Sequence, residues 1–338
     1  MNATIKDVAK LAGVSVATVS RVLNSSASVS EDTAKQVNYA IDSLGYKPNF
    51  LGRNLRKCQT YVILAIIPST EQTYYSEILH GMQNKAAEFG YDILMSTSHS
   101  HEETELRLLN MLENRTVDAA ILMGTKLTAE KLNEISENAN IALCCEHIEG
   151  ANILSVGIDN EKASYDAINY LIQKGHKNIA MISTDVRSSS SVLRENGYFK
   201  ALSENNIEFK SEYLYQGSYD YQNGGYALER FYNLEERPTA IFAVSDLIAV
   251  GAIIKANEMG IKVGKDIDIM GFDNVSLTEM FIPTISTVEQ PCFYMGCVVI
   301  EKVIENLTYK NKNKGKCIVN HKLVLRQSTG EWFLLIDF

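Results

Sequence analysis

Seven polar or aromatic residues follow short apolar stretches where predicted strands end, and together they could bind a small molecule. They are Tyr74, Tyr75, Arg194, Tyr219, Ser245, Asp246 and Asp273. Ligands of open α/β sheets bind outside the carboxyl ends of the strands, so we expect these side chains to converge. Aromatic rings stack on the C–H face of a polyhydroxylated ligand, while carboxylate and guanidinium groups hydrogen-bond its hydroxyls. The set therefore predicts a site for a neutral sugar.

Structural roles are open for some of these residues. Asp246 stands at the start of a predicted helix and could cap it, and Tyr74 or Tyr75 could pack at an interface between lobes. A buried charge without a partner is unfavourable, so Arg194 and Asp273 each need a partner, which a ligand could supply. We expect these two residues to be central to the site.

The sequence carries none of the common catalytic motifs. It has no GxSxG, no P-loop, no GxGxxG after a strand and no HExxH, so nucleophilic, phosphoryl-transfer, hydride-transfer and zinc-hydrolase chemistries lack their signatures. His99 and His101 precede two glutamates in a polar stretch, which is more typical of a solvated loop than of a zinc site. We predict no enzymatic activity, no metal and no cofactor.

Composition indicates a globular protein of two or three folding units. The chain has 338 residues, of which 46% are hydrophobic and 22% are charged, close to ordinary globular usage. No apolar run approaches the roughly 20 residues of a membrane-spanning helix. The N-terminus lacks an apolar signal core, so we expect a cytoplasmic chain whose six cysteines are reduced.

Charge is distributed unevenly along the chain. The net charge is −9, but residues 1–58 sum to +4 and the remainder to −13. A small basic head on a large acidic body is the layout expected when only the head approaches a polyanion.

Three short helices are predicted in the basic head. They cover Ile5–Ala12, Val16–Leu23 and Ser30–Leu44, and the expected buried face of the third carries Ala34, Val37, Ile41 and Leu44. Ser15 and Ser30 are good N-caps, and Gly13 permits a sharp turn between the first two helices. This is the helix-turn-helix pattern, in which the second helix enters the major groove of DNA. A helical bundle without DNA contact is the alternative.

The head resembles the DNA-binding region of the lactose/galactose repressor (LacI/GalR) family. The resemblance is carried by TIKDVAKLAGVSVATVSRVLN, then by VS, GYKPN and R-x-L, and it is nearly continuous from Thr4 to Leu55. It implies a DNA-binding domain over residues 1–47, with the motif at 5–24, and a hinge helix over 48–58.

The resemblance also implies individual contacts with DNA. It implies that three residues contact base edges, namely Val16, Ala17 and Arg21. Contacts largely to the DNA backbone would come from Thr4, Ser15, Thr18 and Asn24. The hinge would contribute Asn49, Arg53 and Leu55, and Leu55 would insert into the minor groove. The chemistry agrees, because Arg21 can donate two hydrogen bonds to guanine O6 and N7, whereas Val16 and Ala17 offer only apolar contact. So short a hinge helix should be ordered only when DNA and a partner hinge are present.

From Thr60 onward, short apolar strands alternate with amphipathic helices, which predicts a parallel α/β fold. The predicted strands are YVILAIIP, YDILMST, DAAILMG, ILSVGID, NIAMIST, YLYQG, AIFAV and DIMGF, and the predicted helices are Ser76–Phe89, Thr104–Glu113, Lys162–Gln173, Val192–Glu204, Gly225–Tyr232 and Asp246–Met259. The family resemblance continues here through IPSTEQTYYSEILHGM, GIDNEKAS, AVSDLIAVGA, MGFDN and LVLRQST.

For this second part, the resemblance implies a two-lobed core over residues 59–338, like that of the periplasmic binding proteins and doubly wound with parallel sheets. Lobe 1 would comprise about 60–159 and 290–319, and lobe 2 about 160–289 and 320–338. The chain would cross between the lobes near Asp159, Glu289 and Asn320. Among effector contacts, the family pattern matches Arg194, by its spacing to Gly197, and Asp273, in GFDN, most securely.

These features predict a dimeric transcription factor that binds a pseudo-palindromic operator in double-stranded DNA. They favour a repressor over an activator. A small-molecule effector, a sugar by the chemistry above, would control its operator affinity. Only nine residues follow RQST, too few for the leucine heptads of family tetramers, so a homodimer is expected. The alternatives are a transport-type sugar-binding protein with this core and no DNA role, and a regulator that needs a corepressor.

Overall fold

The computed structural model describes residues 3–23, 29–46, 59–70, 72–185, 188–309 and 313–331. The chain divides into two compact units, Met1–Gln59 and Thr60–Phe338. The first unit is helical and the second is α/β.

The described part of the first unit contains three helices. They are α1 (Ile5–Leu11), α2 (Val16–Leu23) and α3 (Glu31–Leu44). The Thr4 hydroxyl accepts from the backbone N–H of Asp7 at 3.4 Å and donates to its carboxylate at 2.7 Å, which caps α1. Gly13 has a φ of +67°, and the Ser15 hydroxyl accepts from the N–H of Thr18 at 3.1 Å. The helix-turn-helix geometry thus follows from a cap, a left-handed glycine and a second cap.

A small apolar core holds the three helices together. Its buried members are Val8, Ala9, Val19, Val37 and Ala40. The prediction that Leu44 is buried was wrong, since its side chain is 37% exposed. Leu44 lies in the last turn of α3, and Ala40, about one turn before it, packs inside instead.

The described part of the second unit contains two six-stranded sheets, each covered by helices. The first sheet belongs to lobe 1. Its strands are β1 Val62–Ile67, β2 Asp92–Thr97, β3 Ala119–Leu122, β4 Ile141–Cys144, β5 Leu154–Gly157 and β11 Gly315–Ile318. Their order in the sheet is β11-β5-β4-β3-β1-β2. All its strand pairs are parallel. Its helices are α4 (Thr73–Glu88), α5 (Glu102–Glu113), α6 (Ala129–Asn138) and α12 (Cys292–Thr308).

The second sheet, lobe 2, has the order β12-β10-β9-β8-β6-β7. Its strands are β6 Ile179–Thr184, β7 Leu214–Gly217, β8 Ala240–Ala243, β9 Asp268–Asp273, β10 Ser286–Glu289 and β12 Lys322–Val324. Only β12 runs antiparallel, beside β10. Its helices are α7 (Asn160–Gln173), α8 (Ser189–Glu204), α9 (Tyr221–Tyr232), α10 (Asp246–Glu258) and the short α11 (Leu277–Met280).

The chain passes between the sheets at three places. It leaves β5 of lobe 1 for α7 of lobe 2, returns from β10 to α12, and crosses again between β11 and β12. Three adjacent connections are suited to a relative rotation of the lobes.

Four elements of lobe 1 escaped prediction, namely α6, β4, α12 and β11. The four residues of β4 are all buried, and so short a strand shows no alternation of apolar and polar residues. Several helices also begin a few residues earlier than predicted. Their capping residues, such as Asp159, Ser188 and Asp220, precede the apolar repeat on which the predictions depended.

Among the described residues, no helix has both the length and the apolar character needed to span a membrane.

Candidate DNA-binding and effector-binding sites

The exposed face of α2 presents the three predicted base readers. Val16 is 38% exposed, and Ala17 and Arg21 are exposed. Ala17 and Arg21 are four residues apart on the helix and therefore point the same way. Ser15 and Thr18 lie at the N-terminus of the same helix, with their hydroxyls 2.9 Å apart.

Four predicted DNA contacts, Asn24, Asn49, Arg53 and Leu55, lie outside the described residues, as does the whole predicted hinge of residues 48–58. Thr4 is exposed, and its side chain caps α1 through Asp7. Hydrogen bonds from Thr4 lower the pKa of the Asp7 carboxyl.

A cavity of about 260 Å³ lies between the two lobes, at the carboxyl ends of the strands. Its lining consists of Pro68, Gln72, Tyr74, Tyr75, Ser100, Gly124, Lys126, Cys145, Glu146, Thr184, Ser188, Ser190, Ser191, Arg194, Tyr219, Val244 and Asp273. Five of the seven residues predicted from strand ends meet here. Ser245 lines a smaller adjoining cavity of about 90 Å³, and Asp246 lines neither.

Arg194 is fixed in place by contacts on every side. Its Nε donates to Oδ1 of Asn160 at 2.8 Å, and its Nη1 donates to the carbonyl of Val244 at 2.5 Å. The guanidinium carbon lies 3.6 Å from the ring centroid of Phe272, and Nη1 is 3.7 Å from Oδ1 of Asp273. Because the guanidinium is held before any ligand arrives, little ordering is needed on binding.

Asp273 ends β9 with a φ of +116° and is 5% exposed. Its Oδ1 accepts from Nε2 of Gln290 at 2.7 Å. Burial raises the pKa of this carboxyl to about 6, while Arg194 and Gln290 act in the opposite direction. Near neutral pH the carboxylate is thus a strong acceptor for a ligand hydroxyl.

The three tyrosines of the cavity remain protonated at neutral pH. Burial is the main cause that raises the pKa of Tyr74, Tyr75 and Tyr219 above the ordinary value. Tyr74 donates its hydroxyl to Oε1 of Gln290 at 3.1 Å, and it meets Tyr75 edge to face at 5.3 Å between ring centroids. The cavity thus combines aromatic faces from both lobes with phenol donors.

Asp246 has a structural role. Its carboxylate accepts from the N–H of Val275 at 2.9 Å and from the Thr287 hydroxyl at 2.5 Å. Ser245, not Asp246, caps α10 by accepting from the N–H of Ile248 at 3.3 Å. Asp246 therefore holds the loop after β9 against β10, beneath the cavity.

Several lining residues were not predicted, and Glu146 is the most important. It is 8% exposed and accepts from the N–H of Thr125 at 2.7 Å. Burial, helped by Glu105, raises the pKa of Glu146 to about 7. Glu146 follows β4, as Gln290 follows β10, so the strand-end rule would have found both if those strands had been recognised.

His99 and His101 are both exposed, and His99 lies 3.2 Å from the hydroxyl of Thr97. Within the described ranges, no group of three or more His, Cys, Asp or Glu side chains could hold a metal ion.

Two family models match the chain. The model of bacterial regulatory proteins of the lacI family matches residues 4–49, and a periplasmic binding protein-like domain matches residues 168–329. The two matches cover the helix-turn-helix unit and most of the second lobe.

Relatives match along nearly the whole chain. Catabolite control protein A of Priestia megaterium is 36% identical over 331 residues, which are 97% of this chain and 100% of that protein. The transcriptional repressor CytR of Escherichia coli strain K12 is 32% identical over 330 residues, 97% of this chain and 96% of that protein.

Solved structures agree in fold. The lac repressor dimer bound to operator and the anti-inducer ONPF has a TM-score of 0.88 at 25% identity, covering 97% of this chain and 99% of that one. A complex of the transcriptional regulator CelR with cellobiose has a TM-score of 0.72 at 26% identity, covering 96% and 99%. The predicted fold class, a helix-turn-helix head and a two-lobed α/β core, is confirmed, and the chain belongs to the LacI family of bacterial regulatory proteins.

Proposed function

We propose that this protein is a transcriptional repressor whose affinity for a pseudo-palindromic operator is set by a small carbohydrate bound between its lobes. The observation that carries this proposal is the cavity in which Arg194, Asp273 and three half-buried tyrosines converge, in a chain whose head exposes the helix α2. No catalytic step and no cofactor are proposed.

For the head, we propose that Val16, Ala17 and Arg21 read base edges. Contacts to the DNA backbone and minor groove would come from Thr4, Ser15, Thr18, Asn24, Asn49, Arg53 and Leu55. The exposure of the three readers on one helix supports the first group. The net charge of +4 over residues 1–58 favours approach to a polyanion. We propose the division into a head of 1–47, a hinge of 48–58 and a core of 59–338.

For the cavity, we propose a neutral sugar held by Tyr74, Tyr75, Arg194, Tyr219, Ser245 and Asp273, with Glu146 as a further acceptor. The charged residues of the lining, Lys126, Glu146, Arg194 and Asp273, include as many cations as carboxylates, which suits an uncharged ligand. CelR, the relative solved with cellobiose, supports this class of ligand.

For the switch, we propose that the sugar prefers one angle between the lobes. A ligand shifts an equilibrium only by its differential affinity for the two states. Tyr74 of lobe 1 reaches Gln290, and Gln290 reaches Asp273 of lobe 2, so a ligand in the cavity acts on contacts that depend on that angle.

We propose a homodimer that acts in the cytoplasm, where bacterial operators are found. Lobe 2 exposes a set of large apolar side chains that a second copy would cover. They are Tyr221 (48%), Tyr226 (62%), Ile254 (36%), Met280 (72%) and Ile282 (81% exposed). A large apolar patch on the surface is typical of an interface, and the lac repressor structure is a dimer.

Two measurements test the function. Enrichment from a random DNA library should yield a two-fold symmetric site, and a thermal-shift screen of mono- and disaccharides should reveal a ligand. At 100 times its dissociation constant, a ligand stabilises by about 2.7 kcal/mol. The variant Asp273→Asn should abolish the shift and leave DNA binding intact. A sugar-binding protein without a DNA role would fail the first measurement and pass the second.

A further inference from the structure

Cys144 and Cys145 form an unusual pair of adjacent thiols at the end of β4. Successive side chains of a strand point to opposite faces of the sheet, which would keep neighbouring sulfurs apart. Cys145 instead has a φ of +73°. Its thiol therefore turns back and lies 3.8 Å from the sulfur of Cys144.

The backbone at Cys145 is held in this uncommon conformation by β5. The N–H of Cys145 donates to the carbonyl of Val156 at 2.8 Å. A residue other than glycine with positive φ is uncommon, and such residues cluster at functional sites. The geometry that brings the thiols together is thus built into the sheet.

The two thiols differ in access. Cys145 is half-buried and lines the cavity between the lobes, whereas Cys144 is fully buried. The hydrogen bond from Cys145, together with burial, raises the pKa of the Cys144 thiol. A reagent that enters the cavity therefore meets Cys145 first, with Cys144 directly behind it.

Cys145 also contacts the proposed sugar site. Its side chain lines the same cavity as those of Tyr74, Arg194 and Asp273. A change at Cys145 therefore alters the wall of the proposed site.

We propose that Cys144 and Cys145 are a redox-sensitive dithiol, which a hydroperoxide converts into a vicinal disulfide, and that this conversion weakens ligand binding in the adjoining cavity. The second half rests on the proposed sugar site, and the first half does not. Oxidation-sensing cysteines often lie next to a resolving thiol, and the Cys144 sulfur lies 3.8 Å from that of Cys145.

The chemistry proceeds in two steps. The Cys145 sulfur attacks the hydroperoxide ROOH, an S–O bond forms as the O–O bond breaks, and ROH leaves with the thiol proton. The Cys144 sulfur then attacks the Cys145 sulfur, an S–S bond forms, and the S–O bond breaks to release water. The two thiols lose two electrons and two protons, and the hydroperoxide is reduced to ROH and water. Two external thiols, which become a disulfide themselves, can reduce the product back to the Cys144 and Cys145 thiols.

Ring closure must move one sulfur, because 3.8 Å is far longer than a disulfide bond of about 2.05 Å. Cys144 lies in a strand that is buried along its length. The displacement therefore falls on Cys145 and changes the wall of the cavity. If the change removes one hydrogen bond to a bound ligand, the dissociation constant rises by about two- to tenfold.

Peptide mass spectrometry tests the first half without a sugar. Trypsin releases residues 132–162, whose only cysteines are Cys144 and Cys145, and residues 266–302, which hold Cys292 and Cys297. After brief treatment of the folded protein with hydrogen peroxide, the mass of the first peptide should fall by two hydrogens while the second peptide is still unchanged. Dithiothreitol should restore the original mass of the first peptide. Cross-linking of the two peptides, or an unchanged first peptide, would overturn the proposal.

Titration of the sugar identified by the thermal-shift screen tests the second half. Peroxide should raise its dissociation constant about two- to tenfold in the wild type and in the control Cys297→Ala. Cys144→Ala should bind the sugar normally before treatment, and with peroxide its peptide should gain oxygen at Cys145 instead of losing two hydrogens, because the resolving thiol is absent. Cys144→Ser should behave in the same way and replaces the alanine variant if that one is unstable. Equal affinity of oxidised and reduced wild type overturns this half alone, whereas failure to find any sugar counts against the proposed function and leaves the peptide result standing.

Discussion

Nε2 of Gln290 donates a hydrogen bond of 2.7 Å to Oδ1 of Asp273, at one of the places where the chain crosses between the lobes. The Oε1 atom of the same amide accepts from Tyr74 at 3.1 Å. One side chain thus connects the first turn of a lobe 1 helix with the end of a lobe 2 strand. Rotation of the lobes must stretch one of these two bonds, so a ligand that changes the lobe angle acts directly on Gln290.

Replacement of Gln290 by methionine removes both bonds while nearly preserving volume. Gln290 is 3% exposed, so Asp273 loses its amide donor and the Tyr74 hydroxyl loses its acceptor. We expect Gln290→Met to lower the free energy of unfolding by about 1–3 kcal/mol, measured by urea denaturation at pH 8. The exposed Gln173→Met serves as control and should change it by less than about 0.5 kcal/mol. Equal stability of the two variants would show that the bridge contributes nothing.

Glu146 should make stability depend on pH. Its pKa is raised to about 7 from 4.5, so the folded chain holds this proton more tightly than the unfolded chain. Glu146 therefore favours folding increasingly as pH falls from about 7 to 4.5, and its charge is unfavourable above 7. Glu146→Gln should be more stable than wild type by about 3 kcal/mol at pH 8, and the difference should shrink towards pH 5. The exposed neighbour variant Glu149→Gln should show no such trend, and a parallel pH profile for Glu146→Gln would contradict the assignment.

The cavity residues show which parts of the site were accessible to prediction. Arg194 and Asp273 were found because β6 and β9 are apolar enough to be recognised and the residues after them carry charge. Gln290 was missed because β10, with the sequence STVE, contains polar side chains that are buried and hydrogen-bonded. Its Ser286 hydroxyl lies 2.6 Å from that of Thr329, and its Thr287 hydroxyl donates to Asp246. These hydrogen-bond partners come from distant parts of the chain, so no local sequence pattern predicts that strand.

Two adjacent glycines in α9 should respond oppositely to the same change. A Cβ on Gly224 would lie 1.9 Å from the carbonyl oxygen of Ile248 in α10, whereas one on Gly225 would have its nearest neighbour at 3.7 Å. Gly224→Ala should destabilise the fold by about 1–3 kcal/mol through overpacking. Gly225→Ala should stabilise it by about 0.5–1 kcal/mol through helix propensity. Chemical denaturation of both variants checks this, and shifts of the same sign would show that the two helices pack less closely.

The exposed apolar residues of lobe 2 should mediate self-association. The double variant Met280→Glu with Ile282→Glu places two charges where 72% and 81% of the side chains are exposed. We expect it to be monomeric at concentrations where the wild type is dimeric, since buried unpaired charges are unfavourable. Sedimentation equilibrium measures the change, and Tyr309→Glu, which alters a 65% exposed side chain of lobe 1, should remain dimeric. A wild type that is tetrameric at micromolar concentration would contradict the proposed homodimer.

Arg21 should carry the direct reading of sequence by α2. It is exposed, and among the proposed base readers only its side chain can hydrogen-bond to bases, because Val16 and Ala17 are apolar. On the site enriched from the random library, Arg21→Ala should weaken binding by about 1–3 kcal/mol and relax the preference at one base pair in each half-site. Measurement of both the wild type and the variant against all single base-pair substitutions of the site locates that pair.

Lys10, at the end of α1, provides a control of the same charge outside the proposed reading face. Removal of a cation by Lys10→Ala should lower affinity for all sequences about equally, if it changes affinity at all, because a contact made only through charge carries no base information. The comparison therefore separates loss of charge from loss of reading. If Arg21→Ala also weakened all sequences equally and kept the full base preference, Arg21 would be a phosphate contact, and discrimination would have to arise from the apolar readers or from the shape of the DNA.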